Sequence, residues 1–337
     1  MLAAQCEVWL VNAQHVKQVP GRKTDVGDAE WLAQLMRCGL LGRSFVPAVE
    51  QRDLRDLTRY RTRLTEERTA AANRLHKILE DANIKLTSVV SDIQGVSAQA
   101  MLQALIGGES DPAVLADLAQ GRLRAKLPAL EAALTGCVRE HHRFLLGELL
   151  QHLEHLSQCI TTVNARIREV TAPYEAIIQR LDAITGVDRY TAEVILAEVG
   201  PNVTPFPTAK HLASWACLCP GNDVSANKRR SGKTRHGQKW LRAALVEAAW
   251  AASRSKDTYL AAQFQRLRVR RGDKRAAVAV AHSILTIVYH LLADPNVTFS
   301  ELGGDYFVKK NPEQERRRAV KRLEALGFQV ALTPISG

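Results

Sequence analysis

Two carboxylates near the start of the chain, Asp25 and Asp28, have the type and spacing of metal ligands. They follow Pro20 and Gly21, where we expect a helix to begin, and a separation of three residues puts both on one helix face. Mg²⁺ prefers oxygen ligands, and in phosphoryl transfer it polarises the phosphate and stabilises the departing oxygen. The alternative is a helix cap, because acids in a first turn also satisfy free N–H groups and the helix dipole. Two carboxylates are too few for a two-metal site, so the spacing alone leaves both interpretations open.

The candidate nucleophile is Ser225, in a stretch bordered by Pro and Gly. The stretch, residues 220–237, reads PGNDVSANKRRSGKTRHG, so small flexible residues are followed by a run of cations. A hydroxyl in that setting can attack a phosphodiester while the cations bind the phosphate and stabilise charge on its oxygens. For an isolated serine, an ordinary loop residue beside a DNA-backbone surface is the simpler interpretation.

The positive charge of the protein is concentrated in one segment. The chain of 337 residues has a net charge of +11, and residues 226–275 alone hold 15 Lys and Arg against 3 Asp and Glu. A solvated helix face does not explain this scarcity of acids, so the segment predicts salt-dependent binding to a nucleic-acid backbone. The residues that we expect to bind nucleic acid form two clusters. The first basic cluster consists of Lys228, Arg229, Arg230, Lys233, Arg235, Lys239 and Arg242, and the second basic cluster contains Arg270, Arg271, Lys274 and Arg275.

Long helices must position these groups. An apolar run at Cys6–Val11 predicts one buried strand, and a helical pattern then continues to Leu41. Residues 48–84 predict one long helix, with Arg61 and Arg68 interrupting its apolar positions. A second helix has apolar residues spaced alternately three and four apart, which predicts a coiled-coil seam. The seam consists of Leu146, Leu149, Leu153, Leu156, Ile160, Val163, Ile167 and Val170.

The C-terminal part of the sequence predicts a further compact helical domain. A helix, a turn at Gly186 and a second helix resemble a helix-hairpin-helix, whose turn amides hold a DNA phosphate. Asp188 replaces the usual second turn glycine, and an ordinary helical corner is the alternative. Helices are then expected near 238–253, 258–271 and 274–293, and we interpret the last, which is apolar, as a buried core helix rather than a membrane span.

Composition narrows the class of protein. Hydrophobic residues make up 46% of the chain and aromatic residues 5%, which excludes wholesale disorder and favours a mainly α fold of about two domains. The six cysteines include no CxxC pair, so we expect free thiols in a reducing cytoplasm rather than a zinc site. Four histidines of the second long helix are predicted to lie at the surface or an interface. They are His141, His142, His152 and His155.

Together these segments resemble a known family. KTDVGDA at Lys23–Ala29, preceded by NAQHVKQVPGR, and LASWACLCPGNDVSANKRRSGKTRHGQKWLRAALVEAAWAASR at residues 212–254 look like the one-ten family of bacterial insertion-sequence transposases. These are the DEDD transposases, relatives of the Piv DNA invertase. The resemblance extends over essentially the whole chain, and the combination of motifs in this order is specific although each motif alone is weak.

The resemblance implies a DNA transposase that cuts and rejoins strands through a serine nucleophile, which maps onto Ser225. It implies an acidic cluster that binds Mg²⁺, and the last two acids of that cluster map onto Asp25 and Asp28. It also implies a structured guide RNA encoded by the element, DNA as substrate, and a homo-oligomer, a dimer or tetramer, with no membrane partner.

The fold class implied by the resemblance is mainly α, with a remnant of an α/β domain. The expected parts are the end of a RuvC-like (RNase H-like) domain at 1–47, a helical coiled-coil arm at 48–172, an α-helical transposase domain with the helix-hairpin-helix-like element at 173–312, and a basic tail at 313–337.

The sequence departs from the family pattern at its beginning. The family's first Asp, on an opening strand, and its Glu, in an EATG-like segment, do not occur in this sequence. We therefore expect a RuvC-like domain that is truncated at its N-terminus, with half of its metal site and impaired cleavage. One alternative is a catalytically dead nucleic-acid-binding protein that keeps the basic domain and the arm. Another is a coiled-coil adaptor with an incidental basic segment, whose binding would be insensitive to salt.

Overall fold

The apolar periodicities of the sequence form the helices that they predict, and the protein is mainly helical. The computed structural model of the chain describes residues 9–11, 25–44, 46–220, 223–225, 228–231, 234, 237 and 239–332. It divides into two compact units. Leu54–Pro173 is called the helical unit below, and Met1–Asp53 with Tyr174–Gly337 is called the hairpin unit because it carries the β-hairpin.

The described helices are numbered in chain order. They are α1 (Asp25–Arg37), α2 (Val49–Asp81), α3 (Val96–Ile106), α4 (Pro112–Asp117), α5 (Leu127–Leu134), α6 (Glu140–Thr171), α7 (Glu175–Asp182), α8 (Arg189–Val199), α9 (Ala209–Trp215), α10 (Lys239–Ala252), α11 (Tyr259–Arg271), α12 (Asp273–Ala293), α13 (Tyr306–Lys310) and α14 (Pro312–Ala325). The two described strands are β1 (Asp223–Ser225) and β2 (Lys228–Ser231), and they pair antiparallel.

In the helical unit, the predicted seam of α6 lies in the core. Leu146 and Leu156 are buried in the same apolar cluster as Leu75 and Leu79 of α2, and α3, α4 and α5 close that cluster. The helices are antiparallel, because Asp81 at the end of α2 accepts a hydrogen bond from the His142 ring near the start of α6, 2.9 Å away. The predictions of one long helix at 48–84 and of a second long helix over the seam residues are therefore confirmed.

Two polar residues of these helices are buried against expectation. The prediction that His142 lies at the surface or an interface is wrong: only 2% of it is exposed, because its Nδ1 accepts the backbone N–H of Arg139 while its Nε2 meets Asp81. Arg61, expected to interrupt the apolar face, is also 2% exposed and donates to the Asn164 amide oxygen at 3.2 Å. Each is buried because it has a partner across the helix pair.

In the hairpin unit, α12 is the central helix. It packs against α9, α10 and α11, and its buried side chains include Ala277, Val280 and Ile284. Among the described residues, α12 is the helix whose length and composition would suit a membrane span, and half of its most apolar stretch is covered by the rest of the chain. That burial agrees with the interpretation of α12 as a core helix.

Turns around α12 are fixed by specific contacts. Gly186, between α7 and α8, has φ +86°, and a side chain there would lie 2.4 Å from the Ala248 carbonyl oxygen of α10, so only glycine fits. Arg180 of α7 donates to the carbonyl oxygens of Leu291, Asp294 and Val297 at 2.6–2.7 Å, which satisfies carbonyl groups at the end of α12.

The first segment of the chain contributes little regular structure to the described residues. Val11 pairs with Arg43 in an isolated bridge, and the Arg43 guanidinium lies 3.8 Å from the ring centre of Trp9. Half of the strand predicted at Cys6–Val11, residues 6–8, lies outside the described residues. The helix expected to run to Leu41 ends earlier, as α1 stops at Arg37.

Candidate functional site

The stretch that carries Ser225 is a β-hairpin and not the loop that the sequence led us to expect. Its register pairs Ser225 with Lys228, Val224 with Arg229 and, across an irregularity, Asp223 with Ser231. A further bridge joins Pro220 to Thr234. The loop interpretation was wrong because small and charged residues indicate a strand only weakly. A strand of this composition becomes stable only when a partner strand pairs with it.

Six predicted site residues belong to this stretch. Ser225, Lys228, Arg229 and Arg230 are described as strand residues without their side chains, and Lys233 and Arg235 lie outside the described residues.

The far end of the hairpin leads to a close contact between Gly237 and Cys217. A side-chain carbon at Gly237 would lie 2.2 Å from the Cys217 sulfur, so a larger residue cannot occupy this position. Cys217 itself is buried and has φ +55°, just after α9. The hairpin therefore returns to the helical core at a fixed point, immediately before α10.

Three predicted nucleic-acid-binding residues from two separate sequence clusters line one cavity. Lys239 and Arg242 come from the first turn of α10, and Lys274 comes from the first turn of α12. The cavity has a volume of about 580 Å³. Its remaining lining is mostly apolar and consists of Gly237, Ala243, Val246, Trp250, Ala277 and Val278. Sequence reasoning found the cations but missed Trp250, because one Trp in a helix carries no signal of a cavity.

The second basic cluster surrounds the turn between α11 and α12. Gly272 allows that turn with φ +76°, and Arg270, Arg271 and Arg275 are exposed beside it. Elsewhere in the cluster, Arg268 pairs with Asp273 at 3.0 Å. The turn thus gathers cations from two helices onto one exposed surface, a position suited to phosphate contacts.

The two candidate metal ligands lie in the first turn of α1. Asp28 is exposed, and the side chain of Asp25 is not among those described. Both belong to the hairpin unit, as does Ser225. No group of three His, Cys, Asp or Glu side chains within the described part of the chain lies close enough to hold an ion. The position in a first turn fits metal binding and favourable interaction with the helix dipole equally well.

The helix-hairpin-helix-like element is a packed corner of α7 and α8. The Asp188 carboxylate caps α8 by accepting the backbone N–H of Thr191 at 2.8 Å. A phosphate held by such a turn would need those same N–H groups. Because a carboxylate already occupies this helix terminus and repels a second anion, the structure favours the ordinary helical corner over phosphate binding.

An ion pair and a hydrogen-bonded carboxylate hold this corner in place. Arg189 donates to both carboxylate oxygens of Glu175 at 2.8 Å, and these hydrogen bonds lower the pKa of Glu175. Glu301 accepts hydrogen bonds from the Thr185 hydroxyl at 2.6 Å and the Tyr259 N–H at 2.7 Å. Burial raises the pKa of Glu301, but the hydrogen bonds to the carboxylate outweigh burial and leave its pKa below the ordinary value. Neither contact has a signal in the sequence, since each joins distant segments.

Comparison with known proteins finds two family matches and individual relatives of the chain. Residues 178–265 match the family described as "Transposase IS116/IS110/IS902 family", and residues 1–84 match the DEDD transposase family of IS110, described as "Transposase". The chain is 28% identical over 295 residues to a "Probable family 20 transposase" of Pseudomonas aeruginosa, covering 85% of this chain and 77% of that protein. It is 27% identical over 288 residues to the "Transposase for insertion sequence element IS1111A" of Coxiella burnetii, covering 84% and 70%. From the two matched domains and these relatives we conclude that the chain belongs to the IS110/IS116/IS902 family of insertion-sequence transposases.

Proposed function

We propose that the protein cuts and rejoins DNA strands during transposition of an insertion sequence, with Ser225 as the nucleophile. The observation that carries this proposal is the hairpin register, which pairs Ser225 with Lys228 and puts Val224 opposite Arg229. Directly opposed residues of an antiparallel pair are neighbours on one face, so the register brings the serine position and a cation position together. Gly237, which follows the hairpin in the sequence, lines the cavity together with Lys239.

The proposed step is an exchange of phosphodiester bonds. The Ser225 hydroxyl oxygen forms a bond to phosphorus and loses its proton to a base, while the bond between phosphorus and the leaving sugar oxygen breaks. That sugar oxygen takes up a proton and becomes a hydroxyl group. Because the phosphodiester linkage is retained as a phosphoserine, a sugar hydroxyl can later attack it and rejoin the strand. The neighbouring cations stabilise charge on the phosphate oxygens during both steps.

Asp25 and Asp28 are proposed to contribute two ligands to Mg²⁺. Their carboxylates have the hard-oxygen chemistry that this ion prefers, and both lie in the first turn of α1. A bound Mg²⁺ would neutralise phosphate charge and favour departure of the sugar oxygen. Two ligands make an incomplete set, so the steps above depend on the serine and the cations of the chain itself.

A covalent adduct tests the nucleophile. The protein is incubated with DNA of the element's ends, matched RNA and Mg²⁺, denatured, and analysed for protein that carries a DNA strand. We expect an adduct with the parent chain and none with Ser225→Ala. The matched control is Ser231→Ala, which removes a hydroxyl from the other strand of the same hairpin and should leave the adduct. Adduct formation by Ser225→Ala at the parent level would refute the proposal.

Partners follow from the same proposal. We infer that DNA and a structured guide RNA bind the basic segment and that the protein acts in the cytoplasm.

We also propose that the helical unit forms a coiled-coil contact between copies, giving a dimer or tetramer. Light scattering of the purified protein tests this contact, and a monomer at all concentrations would count against it. The division into a RuvC-like portion at 1–47, an arm at 48–172, a transposase domain at 173–312 and a tail at 313–337 is part of this proposal.

A second candidate is a nucleic-acid-binding protein without cleavage activity. It is favoured by one observation: the described side chains include no group of three His, Cys, Asp or Glu that could hold an ion. Under this alternative, DNA binding persists in both Ser225→Ala and Asp28→Ala, and the parent chain forms no adduct.

A further inference from the structure

The cavity between α10 and α12 combines two kinds of surface. Lys239, Arg242 and Lys274 line it together with the side chains of Val246 and Trp250. Its volume of about 580 Å³ lies within the range of sites that hold small organic molecules. The cavity is thus lined by cations at the first turns of two helices and by an apolar wall along them.

A paired DNA duplex would contact only the cations of this lining and not its apolar wall. Duplex DNA presents its phosphates to a protein surface, and cations bind them without sequence preference. The bases of a duplex are stacked inside the helix, so an apolar cavity next to the cations would remain unfilled. An unpaired nucleotide matches both halves, because its base has an apolar face that stacks on aromatic side chains while its phosphate remains charged.

Trp250 is available for such stacking. The indole is only partly buried, and its contact with Phe264 is tilted, with ring centres 5.4 Å apart. That contact holds the indole in place at the junction of α10 and α11 while part of it lines the cavity. Preorganised aromatic side chains of this kind give up little entropy when a base stacks on them.

We propose that the α10–α12 cavity binds an unpaired nucleotide, with its base against Trp250 and Val246 and its phosphate at Lys239, Arg242 or Lys274. This subsite rests on the proposed binding of nucleic acid by the basic segment, but it does not depend on Ser225 chemistry. DNA and RNA strands share the recognised chemistry, a base with its phosphate, and the experiment separates them.

The test fills the cavity without touching its cations. Ala243 is exposed and lines the cavity, so Ala243→Phe places a ring inside it. Ala251 is also exposed and lies on α10 outside the cavity, so Ala251→Phe is the matched control. Affinity is measured by fluorescence anisotropy for a single-stranded DNA, a single-stranded RNA of the same sequence and a blunt DNA duplex.

We expect Ala243→Phe to weaken binding of at least one single strand about tenfold, as expected when roughly one base no longer stacks, and to change duplex binding by less than about twofold. Ala251→Phe should match the parent protein. The strand type that loses affinity identifies the ligand. Equal losses for single strand and duplex, or no loss for any of the three, would overturn the subsite while leaving backbone binding and Ser225 chemistry standing. A parent protein that binds none of the three probes would overturn both proposals.

A second measurement uses the unaltered protein. A single strand carrying 5-iodouracil is irradiated in the complex, and the attached peptide is identified by mass spectrometry. Attachment to Trp250 supports the subsite, and attachment confined to peptides that do not line the cavity overturns it. Trp250→Leu, which keeps an apolar side chain but removes the aromatic face, should lower single-strand affinity about fivefold relative to the parent.

Discussion

The helical unit and the basic segment contain the same number of cations and use them differently. Leu54–Pro173 holds 15 Lys and Arg against 14 Asp and Glu, whereas residues 226–275 hold 15 against 3. In the helical unit, Arg124 pairs with Asp117 and Arg166 with Glu169, both at 2.9 Å. Charge that is neutralised locally attracts no polyanion, so the density of acids, rather than the count of cations, distinguishes a scaffold from a nucleic-acid surface.

The largest effect is expected from opening the core of the helical unit. Leu146 is fully buried, so Leu146→Ala should cost about 2–5 kcal/mol of unfolding free energy through reduced burial and a cavity. Phe144, two residues earlier and 64% exposed, provides the control, and Phe144→Ala should cost less than about 0.5 kcal/mol. Chemical denaturation measures both. If Leu146→Ala also removes duplex binding at temperatures where the hairpin unit remains folded, the separation of the two regions is wrong.

The second-largest effect is expected on the thermal stability of the hairpin unit, at two of its glycines. Gly186→Ala and Gly272→Ala each force alanine into a left-handed backbone, which costs about 1–2 kcal/mol. Only at Gly186 does the added carbon also overlap the Ala248 carbonyl, which adds roughly 1–3 kcal/mol, whereas the space at Gly272 is open. Gly186→Ala should therefore have the lower thermal midpoint. Equal midpoints for the two variants would contradict the tight contact between the α7–α8 turn and α10.

The charge comparison itself is tested by two sets of three substitutions. The first set is Lys239→Ala, Arg242→Ala and Lys274→Ala; the control set is Arg74→Ala, Lys77→Ala and Arg168→Ala, all exposed in the helical unit. The first set should weaken duplex binding and reduce the slope of log affinity against log salt by up to about 3, nearly one for each phosphate that is no longer neutralised. The control set should change neither. Equal effects of the two sets would show that overall charge, and not the basic segment, drives binding.

The smallest effect is expected from the Glu175–Arg189 ion pair, and it should disappear at acid pH. The Arg189 hydrogen bonds lower the pKa of Glu175 below its ordinary value of about 4.5, so the ion pair stabilises the folded state at all higher pH and is lost as pH falls through the lowered pKa. Glu175→Gln should therefore lower the thermal midpoint modestly near neutrality, and the difference from the parent should shrink below about pH 4.5. A difference that stays constant into that acid range would mean that altered packing, and not charge, causes it.

The helical unit was predicted well because the spacing of apolar residues along a helix is local information. A seam with alternating spacings of three and four specifies which face of α6 is buried, whatever it packs against. The exceptions were His142 and Arg61, whose burial depends on Asp81 and Asn164, residues far away in the chain. The spacing of residues along one helix does not predict whether a hydrogen-bond partner from a distant part of the chain will lie beside them.

The candidate site was only partly predictable for the same reason. Residue type and spacing singled out Ser225, the acids at 25 and 28, and the cations, and the family resemblance assigned them roles. The hairpin, where we expected a loop, depends on the pairing of two strands. The role of Asp188 as a helix cap is visible only in the folded turn.

Composition, charge density and periodic spacing are carried by the chain itself, and they determined the mainly helical fold, the long helices and the position of the basic segment. The tertiary structure alone decided that Lys239 and Lys274, from separate clusters, line one cavity with Trp250, and that Ser225 is paired with Lys228. The physical reason is that burial and electrostatic complementarity arise between residues brought together by packing, and their separation along the chain does not encode that contact.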